Sequence, residues 1–195
     1  MNPPLSTTLT LASAAAAWCV AVAAARRRGI NLGWPPVLAA GGLGAFAALA
    51  PPQGPAPAVL LGGLAAAAVC DGRTGLIFAP LTTAIALATL TAAAVDGGFV
   101  TAAAGALSLG TALFALHLLT AGRGIGFGDV RLAVGIGAGL GAYPGFVALG
   151  WAFVFGGAVA TLLLLTKRIG RGGTLPFAPY MAAGTLAVLA PALPR

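Results

Sequence analysis

Residues 99–120, FVTAAAGALSLGTALFALHLLT, form a run of 22 residues that contains one histidine and no aspartate, glutamate, lysine or arginine. A helix needs about 20 mostly apolar residues to cross the hydrocarbon core of a bilayer, so this stretch predicts a transmembrane helix. The composition of the whole chain agrees, because 59% of its 195 residues are hydrophobic, 7% are charged and the mean hydropathy is +1.02. The sequence therefore predicts an integral membrane protein.

Further apolar segments on both sides of this run predict an all-α bundle of about eight transmembrane spans, with six to eight as the range. Some of these segments are too short to cross the full bilayer core, so they would have to thin the bilayer locally or begin deeper within it. We expect one transmembrane domain, in which residues 1–50 are accessory and residues 56–195 form the core that carries the chemistry. The predicted spans cover residues 5–25, 35–50, 56–70, 76–95, 99–120, 130–143, 145–166 and 175–193.

The basic residues indicate how the chain is oriented. It has ten Lys and Arg against three acidic residues, and eight spans place all the basic residues except Arg195 on one face. Because cytoplasmic loops collect Lys and Arg, this face is predicted to be cytoplasmic, with a retained first helix whose N-terminus lies outside. A nucleic-acid binder would gather its basic residues on one solvated surface, so the expected partner is the lipid bilayer and no nucleic acid.

The acidic residues are three aspartates, Asp71, Asp96 and Asp129. Two predicted spans separate Asp71 from Asp129, so Asp129 returns to the face of Asp71 and leaves Asp96 on the other. Ionisable groups at membrane depth usually mark a functional site, and two close carboxylates share one proton because they cannot both ionise cheaply. Such a pair can activate water and protonate a departing amide nitrogen, as in aspartic proteases, without a metal or cofactor.

The segment GRGIGFGDVRLAVGIGAGLG, residues 122–141, places glycines directly before Asp129. Gly126 and Gly128 carry no Cβ, so they would let backbone or an extended substrate approach closely. Glycine is also common packing material between membrane helices. Each of the two paired aspartates has an arginine two positions later, so an interfacial ion pair, such as Asp129 with Arg131, is the alternative interpretation.

Three segments resemble the type IV prepilin peptidases, which are also called type IV leader peptidases. GFGDVRLAVGIGAGLG is similar to their GxGD segment, and TLPFAPYMAAG is similar to their late PFGP segment. DGRTGLIFAPLTTAIAL is similar to their first catalytic segment, in which Ile and Thr follow the aspartate by six and eleven residues, here at Ile77 and Thr82. The three segments occur in the family's order.

This resemblance implies a membrane-embedded aspartic endopeptidase in which Asp71 and Asp129 share catalysis. It implies a pilin-like precursor as substrate, with a short basic leader ahead of an apolar helix. Cleavage would occur on the cytoplasmic side of a prokaryotic cell membrane, and the oligomeric state is left open. The resemblance further implies residues that bind substrate or shape the site: Gly126, Gly128, Arg131, Pro176, Phe177 and Pro179.

The chain departs from the family pattern at several positions. Phe78 and Ala79 stand where the family usually has Pro-Asn, Ala178 stands in place of glycine, and Arg131 in place of lysine. In larger members, the loop after the first helix carries paired cysteines that are associated with N-methylation of the cleaved pilin. Here that loop is RRRGINLGW, without cysteine. We therefore expect peptidase activity and no N-methyltransferase activity.

Two rival classes stay open. Presenilin-like and signal-peptide-peptidase-like proteases also use GxGD, but their Pro-Ala-Leu motif would here be residues 191–193, at the outer end of the last predicted helix. A non-enzymatic transporter or assembly scaffold is the second rival, although the two aspartate segments do not repeat each other. His117 is expected to form a hydrogen bond to backbone or to a neighbouring group rather than to serve as a base for Cys70.

Overall fold

The computed structural model describes residues 5–30, 54–169 and 175–190. Within these ranges the chain forms seven α-helices and no strands, which confirms the predicted all-helical fold. The predicted second span, residues 35–50, lies outside the described residues. The helices are α1 (Leu5–Arg26), α2 (Pro55–Thr74), α3 (Ala79–Val95), α4 (Phe99–Leu119), α5 (Phe127–Leu140), α6 (Ala142–Leu165) and α7 (Ala178–Leu189).

Three of the described helices, α2, α4 and α6, are long and apolar enough to cross a membrane. They contain 20, 21 and 24 residues, or about 30–36 Å at 1.5 Å per residue. The segment Ala12–Arg26 of α1 and the helices α3 and α7 are apolar but shorter. Together these elements form a helical membrane bundle, as the composition predicts.

Several predicted boundaries were wrong, and glycine and proline explain the differences. The helix α2 runs past residue 70 to Thr74, because Gly75 ends it with a φ of 63°, a left-handed conformation that suits glycine. The span predicted at 76–95 begins only at Ala79, with Pro80 in its first turn, and at 17 residues α3 is not among the helices long enough to cross.

The connection between α5 and α6 is one residue, Gly141, with a φ of 81°. The sixth span was predicted at residues 130–143, so it begins too late and runs through this break. The physical reason is that α5 begins at Phe127, with Gly126 as its N-terminal cap, and positive φ at residue 141 interrupts helical geometry. Asp129 consequently lies inside the first turn of α5 rather than ahead of the helix.

Small residues allow several helices to cross at close range. At the crossing of α4 and α5, a Cβ added at Gly105 or at Gly137 would collide with the backbone of the other residue. At the crossing of α6 and α7, a Cβ on Gly184 would collide with the carbonyl oxygen of Ala148. Such close backbone approach is how membrane helices gain van der Waals contact without large side chains.

Gly137→Ala is expected to lower the free energy of unfolding by about 1–3 kcal/mol, because overpacking forces backbone to move apart. The added methyl group meets the carbonyl of Gly105, which has no flexible end that could yield. Thermal unfolding in detergent, followed by circular dichroism, measures the change. Gly150→Ala is the matched control, since a Cβ at that position of α6 meets nothing within 4 Å. Equal unfolding temperatures for both variants would contradict the tight crossing.

The structure places Asp96 at the opposite end of α2 from Asp71. A Cβ on Gly54, at the start of α2, would lie 2.8 Å from a carboxylate oxygen of Asp96. Asp71 lies 17 positions after Gly54, which corresponds to about 25 Å along a helix axis. Asp96 is exposed, whereas Asp71 and Asp129 are buried. One aspartate is therefore separated from the other two by most of the length of α2.

Candidate active site

Asp71 lies in the last turn of α2, with 5% of its surface exposed. The backbone N–H of Ala178 donates a hydrogen bond of 2.9 Å to Asp71 Oδ2, and the backbone of Phe177 faces the same carboxylate. These residues form the N-terminus of α7, with Pro179 in its first turn. A helix N-terminus has unpaired N–H groups and partial positive charge, so it stabilises a carboxylate. The PFAP segment therefore holds Asp71 in place.

Asp129 lies in the first turn of α5, with 8% of its surface exposed. Its Oδ2 accepts a hydrogen bond of 3.0 Å from the backbone N–H of Gly126, which closes the N-terminal cap of the helix. Its Oδ1 is buried and has no hydrogen-bond partner in the described part of the chain. A buried polar atom without a partner is costly, so this oxygen is available to a proton, a water or a substrate.

A close contact between two segments brings these aspartates together. A Cβ on Gly128 would lie 2.8 Å from the Cβ of Ile77, so the connection between α2 and α3 packs directly on the first turn of α5. The two carboxylates interact electrostatically across this contact. Burial, and then the charge of Asp71, raise the pKa of Asp129 to about 6. The pair can therefore share a proton near neutral pH.

The structure does not pair Asp129 with Arg131. The Arg131 guanidinium lies over the ring of Phe127, 5.5 Å from its centroid, while the only hydrogen bond to the Asp129 carboxylate within the described residues comes from Gly126. Arg131 thus faces an aromatic ring beside the site. The interfacial ion pair with Arg131 does not occur in this structure.

The other residues that the sequence singled out divide between the two aspartates. Gly126 and Gly128 lie at Asp129, the first as hydrogen-bond donor and the second in contact with Ile77. On the Asp71 side, Phe177 contacts the ring of Phe153 at 5.1 Å between centroids. Pro176 precedes Phe177 in the sequence, and Pro179 approaches Gly72, the residue after Asp71.

Ala178 is the residue that sequence analysis missed, because it was noted only as a departure from glycine. Its contribution is a backbone N–H, which every residue except proline has, so side-chain patterns cannot reveal it. The signal that could have found it is Pro179, since proline is favoured in the first turn of a helix and so marks where free N–H groups lie. Phe78, another departure, is buried at 1% exposure, with Arg28 lying over its ring.

The histidine prediction is confirmed. Nδ1 of His117 lies 2.7 Å from the carbonyl oxygen of Ile125, so the ring is bonded to backbone. Cys70 is fully buried on α2, next to Asp71. A thiol nucleophile with His117 as its base gains no support from this arrangement, since the histidine is already engaged at the end of α4.

Asp129→Asn is expected to make the protein more stable than the wild type at pH 8, by about 2 kcal/mol, and equally stable near pH 4. The folded pKa of about 6 exceeds the ordinary value of 3.8. The folded protein thus binds this proton more tightly than the unfolded chain, and wild-type stability falls as the pH rises from about 4 through 6. Asparagine does not titrate and can still accept the hydrogen bond from Gly126.

Unfolding in detergent between pH 4 and pH 8 measures this difference for the wild type and Asp129→Asn. Asp96→Asn removes the same charge at an exposed position and controls for the change in net charge. A stability difference at Asp129 that does not depend on pH would contradict the raised pKa.

The fold and the site define the class of the protein: a helical membrane protein with a buried pair of aspartates at the ends of two helices. The model of the type IV leader peptidase family matches residues 58–161, more than half of the chain. The chain therefore belongs to the type IV leader peptidase family, as its three motifs indicate.

Individual relatives agree with this assignment. A prepilin leader peptidase/N-methyltransferase of Burkholderia pseudomallei is 37% identical over 163 residues, which cover 78% of this chain and 52% of that protein. Proteins of the same name from Pseudomonas putida and Aeromonas hydrophila are 37% and 35% identical, over 45% and 48% of this chain and 31% and 35% of theirs. The chain spans about half the length of the Burkholderia relatives. No solved structure gives a significant match.

Proposed function

We propose that this protein is an aspartic endopeptidase that removes the leader from pilin-like precursors. The observation that carries the proposal is the buried pair Asp71 and Asp129, in which one carboxylate oxygen has no partner among the described residues and the two charges interact. Family membership supports the same activity, because the relatives are named as prepilin leader peptidases. A scaffold would tolerate asparagine at either position without loss of function, whereas a peptidase would not.

In the proposed mechanism, the ionised member of the pair takes a proton from a water molecule as it attacks the scissile carbonyl. The protonated member then gives its proton to the departing amide nitrogen, so one acid and one base serve both steps. The raised pKa of Asp129 supports this division, since the site keeps a proton up to about pH 6. We treat the two carboxylates as one titrating pair.

The fixed hydrogen bonds support the mechanism by orienting both carboxylates. Asp71 is held through Oδ2 by Ala178, and Asp129 is held through Oδ2 by Gly126. These bonds orient the carboxylates before substrate arrives, which lowers the entropy cost of reaching the reactive geometry. The unpartnered Oδ1 of Asp129 is then the atom that would face the attacking water or the scissile amide.

We infer that cleavage occurs at the cytoplasmic face of a prokaryotic cell membrane. Arg73, Arg123 and Arg131 lie in sequence close to the two buried aspartates, and Asp96 lies at the other end of α2. The positive-inside rule then assigns the buried pair to the cytoplasmic side. A substrate with an apolar helix would enter from the bilayer and present an extended leader junction to the pair.

We further propose that the chemistry belongs to residues 56–195 and that the chain cleaves without methylating. Both buried aspartates, Asp71 and Asp129, lie within this range, in α2 and α5. The helix α1 lies outside it and packs against α2 and α3. The cysteines of this sequence are Cys19 in α1 and Cys70 in α2, so none lies in the loop after α1.

The direct test is cleavage of pilin-like precursors by the purified chain in liposomes. The expected result is loss of the leader, seen as a mass shift of the substrate, with wild-type protein and without added metal or nucleotide. Failure of the folded wild-type chain to cleave any precursor with a basic leader and an apolar helix would overturn the proposal.

A further inference from the structure

His117 is joined to the connection between α4 and α5 by a short hydrogen bond. Its ring lies half-buried in the last turn of α4, with Nδ1 2.7 Å from the carbonyl oxygen of Ile125. A carbonyl oxygen can only accept, so Nδ1 must carry the proton and donate it. Ile125 itself is buried at 6% exposure, which shields this bond from water.

The accepting carbonyl belongs to the same peptide unit that holds Asp129. The C=O of Ile125 and the N–H of Gly126 are two ends of one amide, and that N–H donates to Asp129 Oδ2 at 3.0 Å. The two hydrogen bonds are therefore connected in series, from His117 through one amide group to the Asp129 carboxylate. A hydrogen bond to the carbonyl oxygen polarises the amide and makes its N–H a stronger donor.

The ring also fixes the path of the connecting segment. Ala121 and Gly122 both have positive φ, 50° and 72°. This conformation is sterically unfavourable for Ala121, because alanine has a Cβ. A Cβ on Gly122 would lie 3.2 Å from Cε1 of His117, so the turn fits closely around the imidazole. The Phe127 ring lies 5.8 Å from the imidazole, measured between centroids. The histidine therefore contacts both the turn after α4 and the start of α5.

We propose that His117 is a positioning residue, which holds the Asp129 carboxylate in its working orientation through the peptide between Ile125 and Gly126. The inference rests on the proposed aspartic peptidase function. His117 does not touch the reacting atoms; it acts through one amide. The charged groups near Asp129 are Asp71, from the facing helix α2, and Arg131, which lies over Phe127.

Two substitutions separate this role from simple packing. His117→Leu fills much of the same space but removes the donor, whereas His117→Asn keeps an N–H donor near the place of Nδ1. We expect His117→Leu to lower kcat about tenfold with little change in KM, since substrate binding does not use the bond. His117→Asn should recover kcat to within about threefold of the wild type. Thr120→Val is the matched control, because among the described residues that hydroxyl donates to the backbone carbonyls of Leu116 and His117 and not to the connection between α4 and α5.

A second readout does not depend on cleavage. The chain contains three acidic side chains, all aspartates, so protein labelled with 13C at the aspartate carboxyl carbon gives three side-chain signals. Asparagine variants assign them. In His117→Leu the Asp129 signal should titrate at higher pH than in the wild type, because a weaker donor stabilises the carboxylate less. The pH profile of cleavage should move in the same direction, and His117→Asn should restore both.

The outcomes distinguish the two levels of inference. If the wild type cleaves, Asp129→Asn does not, and folded His117→Leu matches the wild type in kcat and in Asp129 titration, the positioning role is wrong while the peptidase stands. If the wild type does not cleave, the proposed function fails, and a shifted Asp129 titration in His117→Leu still supports the hydrogen-bonded connection. Loss of activity in His117→Leu without recovery in a folded His117→Asn would also overturn the role, by indicating packing alone.

Discussion

Asp71→Asn and Asp129→Asn are each expected to lower kcat/KM for leader cleavage by at least about a thousandfold, whereas Asp96→Asn cleaves at the wild-type rate. Each of the first two changes leaves the mechanism without its acid or its base. Asparagine is close in shape and can still accept the hydrogen bonds from Ala178 or Gly126, so the loss should be chemical rather than structural. Cleavage of a pilin-like precursor in liposomes, measured as initial rates, tests this.

The non-additivity of the two changes sharpens the test. Because the proposed mechanism uses the two carboxylates as one unit, the double variant should be about as inactive as either single variant rather than a further thousandfold slower. Helical content and unfolding temperature establish that each variant is folded. Undiminished cleavage by folded Asp129→Asn would show that the buried pair is not the catalytic device, and equal loss in Asp96→Asn would indicate a general effect of charge on assembly.

Gly128→Ala is expected to lower kcat/KM about a hundredfold, because its methyl group would force the start of α5 away from the connection between α2 and α3. The added Cβ would lie 2.8 Å from the Cβ of Ile77, at the branched base of a side chain that rotamer changes cannot move. Asp129 follows Gly128 in the first turn of α5, so this shift would move its carboxylate relative to Asp71. In the proposed mechanism, a displacement of about 1 Å at the reacting groups is enough to produce a loss of this size.

Ile77→Gly supplies the compensating change. It removes the Cβ that meets the new methyl group, so Gly128→Ala combined with Ile77→Gly should recover at least about tenfold of the lost activity. Gly157→Ala is the matched control, since a Cβ at that position of α6 meets nothing within 4 Å. Failure of the double variant to recover, with both variants folded, would mean that Gly128 matters for something other than its distance from Ile77.

Hydropathy predicted the fold well where a helix is long and continuous. The run at residues 99–120 became α4, and the first predicted span became α1, because a chain of apolar residues in a bilayer must satisfy its backbone within a helix. Boundaries were less predictable where glycine or proline interrupts an apolar run. Gly141 divides residues that hydropathy treats as one segment, since backbone conformation rather than polarity decides where α5 ends.

The candidate site was predictable as a pair of carboxylates but not as a geometry. The sequence contains few acidic residues, so Asp71 and Asp129 stood out as candidates. Counting the predicted spans between them placed both on the same face of the membrane. The structure brings them together through the contact of Ile77 with Gly128, and α3 is shorter than the predicted span. The support of Asp71 by Ala178, 107 residues further along, is a backbone hydrogen bond that no side-chain pattern encodes.

The sequence by itself determined that this is an apolar helical protein, which residues carry charge within it, and to which family its motifs are similar. Those properties depend on side-chain chemistry and order along the chain, which can be read directly. The tertiary structure alone decided which helix N-terminus meets Asp71, which oxygen of Asp129 accepts the hydrogen bond from Gly126, and which amide connects that carboxylate to His117. These depend on how distant backbone segments pack, because every residue but proline offers the same donor and acceptor, and only the fold selects which of them meet.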